Sequence, residues 1–369
     1  MCRASLLLVS IIEAYEREER KDFMNYGHMG GYRSRRRKRQ KMIKTIVLSL
    51  IVVAIIVLST VFLISLRNRS ERVEDTVQTT DTSSLPPDTD PADTAPGVLG
   101  EGFITKSFAG EELNRGDLIL VRAGAPYVFP DDIELKDLYT GRKKYDNGAR
   151  AYQISTTDLY LEESVLEKLN GLAEEFYEAT GERGLLVKSA YRSYESQKEL
   201  YDYRVERDGE EEAAKYVAKP SESEHHTALA FDMSVYKDGV NTYIQDEEEY
   251  LWIYENAHKY GFVLRYPEEK TEITGIAYEA WHFRYVGVPH AYYMYTEGLV
   301  LEEYLELLMT NYLYNESHLK IDCDDGNSYE IYYVTADDYG NAEIILPTGF
   351  EYSVSGDNIG GYVVTVKIS

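Results

Sequence analysis

The 369 residues carry 64 acidic against 39 basic side chains, a formal charge of −25 at pH 7, with 44% hydrophobic and 28% charged residues. Those proportions exclude a disordered or collagen-like chain, and the acidic excess excludes a general nucleic-acid binder because it repels phosphate. With only two cysteines, neither a disulfide scaffold nor a cysteine-based zinc site is available.

Charge divides the chain unevenly. Residues 1–70 hold 14 Lys/Arg and 5 Asp/Glu, a net of +9, while the remainder holds 25 and 59, a net of −34. Residues 1–42 read as a basic tail. The run Thr45–Leu66 is uninterruptedly apolar, and at about 1.5 Å per residue it spans roughly 33 Å, enough for a bilayer core. Residues 43–66 are therefore expected to form one transmembrane signal anchor. It lacks the polar face of a globular helix, and no small-x-small cleavage site follows it closely. The basic run Arg33–Lys41 precedes it and only Arg67 and Arg69 follow, so the positive-inside rule expects a cytoplasmic tail and places everything beyond Leu66 outside the cell. Cys2 and Cys323 then lie on opposite sides of the membrane.

Residues 67–100 are rich in Thr, Ser, Asp and Pro, and predict an extended stalk, since few apolar groups offset the entropy of ordering. Residues 101–314 have a globular composition. Val165, Leu166, Leu169, Leu172, Ala173 and Phe176 recur at helical spacing up to Gly181. Leu185–Ala190 predicts a strand and Tyr194–Arg207 a helix. Leu229–Val235 is a second strand, Glu247–Tyr260 a helix stopped by Gly261, Trp281–Val286 a strand, and Leu299–Leu313 a last amphipathic helix. Strands and helices alternate irregularly, with no βαβ repeat or glycine-rich phosphate loop, which favours α+β over a doubly wound sheet. Residues 315–369 alternate apolar and polar between turn signals and predict a small all-β module of four or five strands.

Seven histidines exist: His28, His225, His226, His258, His282, His290 and His318. Two segments concentrate them with acids, Ser223–Asp232 (SEHHTALAFD) and Glu279–His282 (EAWH). A catalytic zinc takes three N or O ligands and leaves one position open. Neighbouring strands could bring His225, Asp232 and His282 around one metal and leave Glu279 as the base. No His-Glu-x-x-His helix is present, which excludes the usual zincin arrangement. His226, His258 and His290 read as supporting or structural side chains. Arg265 reads equally as a carboxylate binder or as a partner of an acidic neighbour. Ser234-x-x-Lys237 and Ser317-x-x-Lys320 lack the Lys-Thr-Gly that serine peptidases require.

Ser223–Asp232 resembles the Ser-x-His-x-x-Gly-x-Ala-x-Asp signature of the VanY-type zinc D,D-carboxypeptidases. Glu279–Tyr285 (EAWHFRY) is similar to their Glu-Pro-Trp-His-Phe-Arg-Tyr, and Ser189–Gln197 (SAYRSYESQ) to their Ser-x-Tyr-Arg-Ser-x-x-x-Gln. Val217–Pro220 and Leu264–Pro267 fit in the same order, so the resemblance covers roughly residues 115–312. It implies the zinc DD-peptidase fold with an antiparallel sheet. It also implies His225, Asp232 and His282 as ligands of Zn2+, Glu279 as the catalytic base and Arg192 as the oxyanion's partner. Ser223, Gln197, Tyr266 and Ser189 are implied at the substrate's C-terminal end. Two departures stand out: Ala228 replaces the family's glycine and Ala280 its proline.

Together these features predict a membrane-anchored, extracytoplasmic carboxypeptidase whose partner is the peptidoglycan stem peptide, with no protein partner identifiable. The family also contains L,D-carboxypeptidases acting on tetrapeptide stems, which the motifs do not separate. A non-catalytic wall-binding or sensor protein is the rival of another class. The intact Glu279, Arg192 and three ligand positions argue against it.

Overall fold

The computed structural model describes residues 102–369. The expected tail, membrane helix and stalk lie outside the described residues. Among the described residues no helix is long and apolar enough to cross a membrane. In chain order the strands begin with β1 (Phe103–Phe108), β2 (Leu135–Asp137), β3 (Gln153–Ile154) and β4 (Tyr160–Glu162). Then come α1 (Glu163–Thr180), β5 (Leu185–Ser189), α2 (Tyr194–Asp208), β6 (Ala230–Lys237), β7 (Val240–Thr242), β8 (Phe262–Tyr266) and β9 (Glu279–Tyr285). Two helices follow, α3 (Val288–Glu297) and α4 (Leu301–Asn311). The chain closes with β10 (Leu319–Asp322), β11 (Ser328–Thr335), β12 (Ala342–Pro347), β13 (Glu351–Gly356) and β14 (Gly361–Lys367).

The central sheet has the order β3-β5-β6-β9-β8, with β7 also paired to β6. Only β3 and β5 run parallel; the other pairs are antiparallel. Helix α1 covers one face with the six apolar residues at helical spacing. Gly181 ends that helix in the left-handed region at φ 75°, which glycine adopts without a Cβ clash. Beneath it Phe231 of β6 and Phe283 of β9 lie opposite each other and stack at 5.9 Å, both fully buried. Each contributes about 1.5–3 kcal/mol of burial. Successive strand residues face opposite sides, so the next pair in register, Asp232 and His282, is turned to the other face.

Strands β1–β4, β7 and β8 were not among those expected, and two helical segments also differ from expectation. Residues 247–260 do not form one helix: Glu247 is extended, and a short α-helical stretch, Trp252–Asn256, is flanked by 3-10 turns at Glu248–Leu251 and Ala257–Tyr260. At the second break Asn256 leaves helical geometry, at φ −125° and ψ −11°, and its side-chain amide donates back to the Trp252 carbonyl. Gly261 does end the segment, at φ 85°. Helix α3 was not expected; its signal is Pro289 in the first turn and Gly298 just past the end.

The C-terminal strands form a sheet of order β10-β11-β14-β13 whose central strands β11 and β14 are buried on both faces, while β10 and β13 each leave residues exposed. From β11, Ile331 and Tyr333 join Ala291 and Met294 of α3 and Leu301, Leu305 and Leu308 of α4 in one cluster, while Tyr332 packs with Ile344 and Leu346 of β12. Strand β1 pairs along its whole length with β12, giving that strand its main-chain partner. Asn358, in the turn before β14, donates its amide to the carbonyls of Leu120 and Pro126 at 3.0 and 3.2 Å. The adjoining Tyr127 N–H donates to the Ser221 carbonyl at 2.7 Å. The C-terminal strands are thus tied to the loop that leads into Ser223.

Candidate active site

Three strands and one turn bring the site together. Ser189, Asp232 and His282 stand side by side across β5, β6 and β9 by register. His225 arrives from the 3-10 turn Glu224–Thr227, latched to the β5–α2 turn by two bonds: the Arg192 N–H donates to the His225 carbonyl (3.0 Å), and His225 Nδ1–H donates to the Ala190 carbonyl (2.7 Å). That second bond fixes the tautomer and leaves the Nε2 lone pair facing Asp232 Oδ2 at 3.5 Å. The turn closes on Ala228 at φ 59°, so the position where the family carries glycine is indeed left-handed. An alanine there costs about 1–2 kcal/mol of backbone strain, and its methyl is fully buried.

His282 Nδ1 lies 3.1 Å from Asp232 Oδ1 and 3.7 Å from Glu279 Oε2, while its Nε2 faces Glu224 Oε2 at 3.4 Å. One atom each of His225, Asp232 and His282 lies within 4.8 Å of the others, the one such group of acids, histidines or cysteines among the described residues. Tetrahedral bonds of about 2.0–2.1 Å place ligand atoms about 3.3 Å apart. The His225 Nε2–Asp232 Oδ2 and His282 Nδ1–Asp232 Oδ1 separations, 3.5 and 3.1 Å, reach different oxygens of one carboxylate but lie close to that spacing, so the two imidazoles flank the carboxylate as the ligands of a divalent ion would. All three border a cavity of about 170 Å³ that is also lined by Arg192, Gln197, Ser223, Tyr266 and Glu279.

Arg192 is gripped from both sides. Its Nη1 donates to Gln197 Oε1 and its Nη2 to Ser189 Oγ, each at 2.8 Å, and the Gln197 amide in turn donates to the Ala218 carbonyl at 2.7 Å. Each Nη keeps a second N–H. His226 supports the same turn, with Nδ1–H donating to the Arg192 carbonyl and Nε2 accepting from the Ser221 N–H. Ser223 precedes the His225 turn and Tyr266 lies with its ring 4.9 Å from that of His282. A bulge between Leu264 and Tyr266 sets Tyr266 opposite Glu279. His258 and His290 lie elsewhere: the first stacks on Tyr295, and the second bridges Tyr304 and Thr365.

Residue type alone did not reveal Glu224. It is fully buried, accepts from Arg265 Nε at 2.7 Å and Arg284 Nη1 at 2.8 Å through Oε1, and turns Oε2 to His282. Burial alone would raise its pKa, but the two guanidinium groups hold it well below the usual carboxylate range. Its only sequence signal is its place immediately before His225.

The acids differ sharply in proton affinity. Burial would raise Asp232, yet His225 and His282 outweigh it and hold the carboxyl well below the ordinary range. Glu279 is pushed up to about 7, first by burial and further by Asp232, against the pull of His282 and Arg192. Burial disfavours the His282 cation, but its bonds to Asp232 and Glu224 raise it to about 9.

In the metal-free chain the raised Glu279 is a stability cost. The penalty is absent below about pH 4.5 and complete above about pH 7, where the folded chain carries a buried, ionised carboxylate. Glu279→Gln is therefore expected to stabilise the chelated protein by about 3 kcal/mol at pH 8, with the gain fading as the pH falls to 4.5. Urea unfolding at pH 8 and pH 5 measures this; an equal effect at both would refute it.

The family description "VanY: D-alanyl-D-alanine carboxypeptidase" matches residues 158–288, which contain every residue of the cavity named above. A D-alanyl-D-alanine carboxypeptidase of Enterococcus faecium is 33% identical over 261 residues, 71% of this chain and 78% of that protein. The bifunctional D-Ala-D-Ala dipeptidase and D-Ala-D-Ala carboxypeptidase VanXYC of Enterococcus gallinarum is 36% identical over 159 residues, 42% of this chain and 82% of its own. Among solved structures, the vancomycin resistance D,D-dipeptidase VanXYg in complex with a D-Ala-D-Ala phosphinate analog superposes with a TM-score of 0.62 at 31% identity, covering 72% of this chain and 99% of that one. With its mixed α and β fold, its ordered motifs and these relatives, the chain belongs to the VanY family of D-alanyl-D-alanine carboxypeptidases and is a peptide hydrolase.

Proposed function

We propose that this enzyme removes the C-terminal D-alanine from peptidoglycan stem peptides, with His225, Asp232 and His282 holding a zinc ion. The observation that carries the reading is the convergence of those three ligand atoms beside Glu279, whose proton affinity lies near neutrality. When bound, zinc supplies Lewis-acid polarisation of the scissile carbonyl and makes water acidic enough to deprotonate near pH 7.

The chain's own groups do the rest. Glu279 accepts the water proton at its carboxylate and returns it to the leaving amine, acting as general base and then general acid. Arg192, held in place by Ser189 and Gln197, turns its remaining N–H groups to the oxygen on which negative charge develops. Such a preorganised donor contributes about 10²–10³ in rate. Ser223 and Tyr266, on the cavity wall, meet the substrate's C-terminal end.

The apolar run Thr45–Leu66, with the basic residues before it, supports an anchored enzyme whose catalytic part faces the cell wall. Incubation with pentapeptide and tetrapeptide muropeptides tests the substrate: release of alanine from the pentapeptide is expected. Release only from the tetrapeptide would replace this reading with L,D-specificity, and release from neither would remove both.

A further inference from the structure

Glu224 faces three donors, and how it serves them all depends on a residue far along the chain. Its Oε1 accepts from Arg265 Nε and Arg284 Nη1, which leaves Oε2 for His282 Nε2. Arg265 does not draw on both oxygens because its two terminal nitrogens are engaged elsewhere. Nη1 donates to Glu302 Oε2 at 2.8 Å and Nη2 to Glu302 Oε1 at 2.7 Å, a bidentate pair with the Arg265 side chain only 1% exposed. The two arginines and two glutamates balance in charge. Glu302 sits in the first turn of α4, the helix whose Leu305 and Leu308 pack among residues of the C-terminal sheet.

We propose that Glu302 is a positioning residue for the metal ligand His282: by occupying the Arg265 fork it keeps one oxygen of Glu224 available to orient the imidazole. The proposal rests on the metal reading above. Without the Glu302 charge, Arg265 is left over-positive and its fork competes for both oxygens of Glu224. His282 Nε2–H then loses its acceptor, and the ring loses the partner that sets its orientation and basicity. Groups that orient a ligand in this way typically contribute 10–100-fold to metal affinity. For a residue two hydrogen bonds further out, reaching Glu224 through Arg265, the lower end is expected. This gives the C-terminal strands a role in the chemistry, since they brace the helix that carries Glu302.

The experiment compares wild type, Glu302→Gln, Glu302→Asp, Glu303→Gln and His225→Ala, all as the full chain. Zinc dissociation constants come from chelator competition, and the visible absorption spectrum is recorded for each cobalt-substituted protein. Glu303 neighbours Glu302 but forms a half-buried pair with Lys270 and accepts from the Val300 N–H, a bond glutamine can keep, so its variant reports the cost of losing an ion pair on the same helix. Glu302→Gln is expected to weaken zinc about 10-fold and alter the cobalt spectrum, with Glu302→Asp in between and Glu303→Gln unchanged. Zinc affinity and spectrum equal to wild type in a folded Glu302→Gln protein overturn the proposal. If that variant does not fold, Glu302→Asp decides, and affinity equal to that of Glu303→Gln overturns it. His225→Ala separates the two readings: if it too binds zinc like wild type, the metal centre itself is misplaced.

Discussion

The Glu279→Gln variant is expected to release terminal D-alanine with kcat lowered by about 10²–10⁴ while still taking up metal. Glutamine keeps the shape and hydrogen-bonding capacity of the side chain but has no useful proton affinity. The other carboxylates at the site cannot replace it. Asp232 lies between two imidazoles, and Glu224 is bound by two guanidinium groups; both are held far too acidic to accept a proton at neutral pH. Glu279 alone among them is raised, to about 7, which matches a group that must take a proton and give it back. A divalent ion beside it pulls that value down, toward the ionised form a base needs. Under the proposed role Glu279 acts on the reacting water rather than on bound peptide, so KM should change little. Steady-state kinetics on a pentapeptide, with metal content measured on the same samples, gives the answer. A kcat within about threefold of wild type at full metal loading would falsify the role of Glu279.

Much of this site could be read from residue order, because its parts lie in short local segments. Ser223 to Asp232 spans a turn and a strand, and Glu279 to His282 begins the neighbouring strand, so each motif carries its own geometry. The helix over Glu163–Thr180 was legible for the same reason: its period and its glycine stop are local. What stayed hidden depends on partners distant in sequence. Glu302 meets Arg265 across 37 residues, and Glu224 meets Arg284 across 60. A glutamate in an acidic chain gives no sign that it will be buried between arginines. Nor does β1 announce that it pairs with β12, since an apolar-polar hexapeptide fits many sheet edges. The break after residue 256 was missed because helical periodicity records which face is apolar, and says nothing of where the backbone leaves helical angles, as Asn256 does at φ −125°.

Stripping the metal, or replacing His225 with alanine, is expected to abolish turnover, with zinc restoring the wild type and not the variant. Lewis-acid stabilisation of several kcal/mol corresponds to about 10³-fold or more in rate. Two remaining ligands fall short of the three that a catalytic zinc site uses. The same site makes a second, non-kinetic demand. In the metal-free chain His282 binds its proton up to about pH 9, because Asp232 and Glu224 stabilise the imidazolium on either side. Nδ1 must release that proton before it can donate its lone pair to an ion, so metal uptake at pH 7.5 should liberate the His282 proton in addition to those that zinc-bound water and Glu279 give up near pH 7, close to two per chain in all. Metal affinity should therefore rise with pH up to about 9 and then level off as the competing proton is lost. Calorimetric titration of zinc in two buffers of different ionisation enthalpy measures the proton count directly. Uptake with only about one proton released, the share of water and Glu279, would mean that His282 is neutral beforehand, and the charge balance around Asp232 and Glu224 would be wrong even if the enzyme were active.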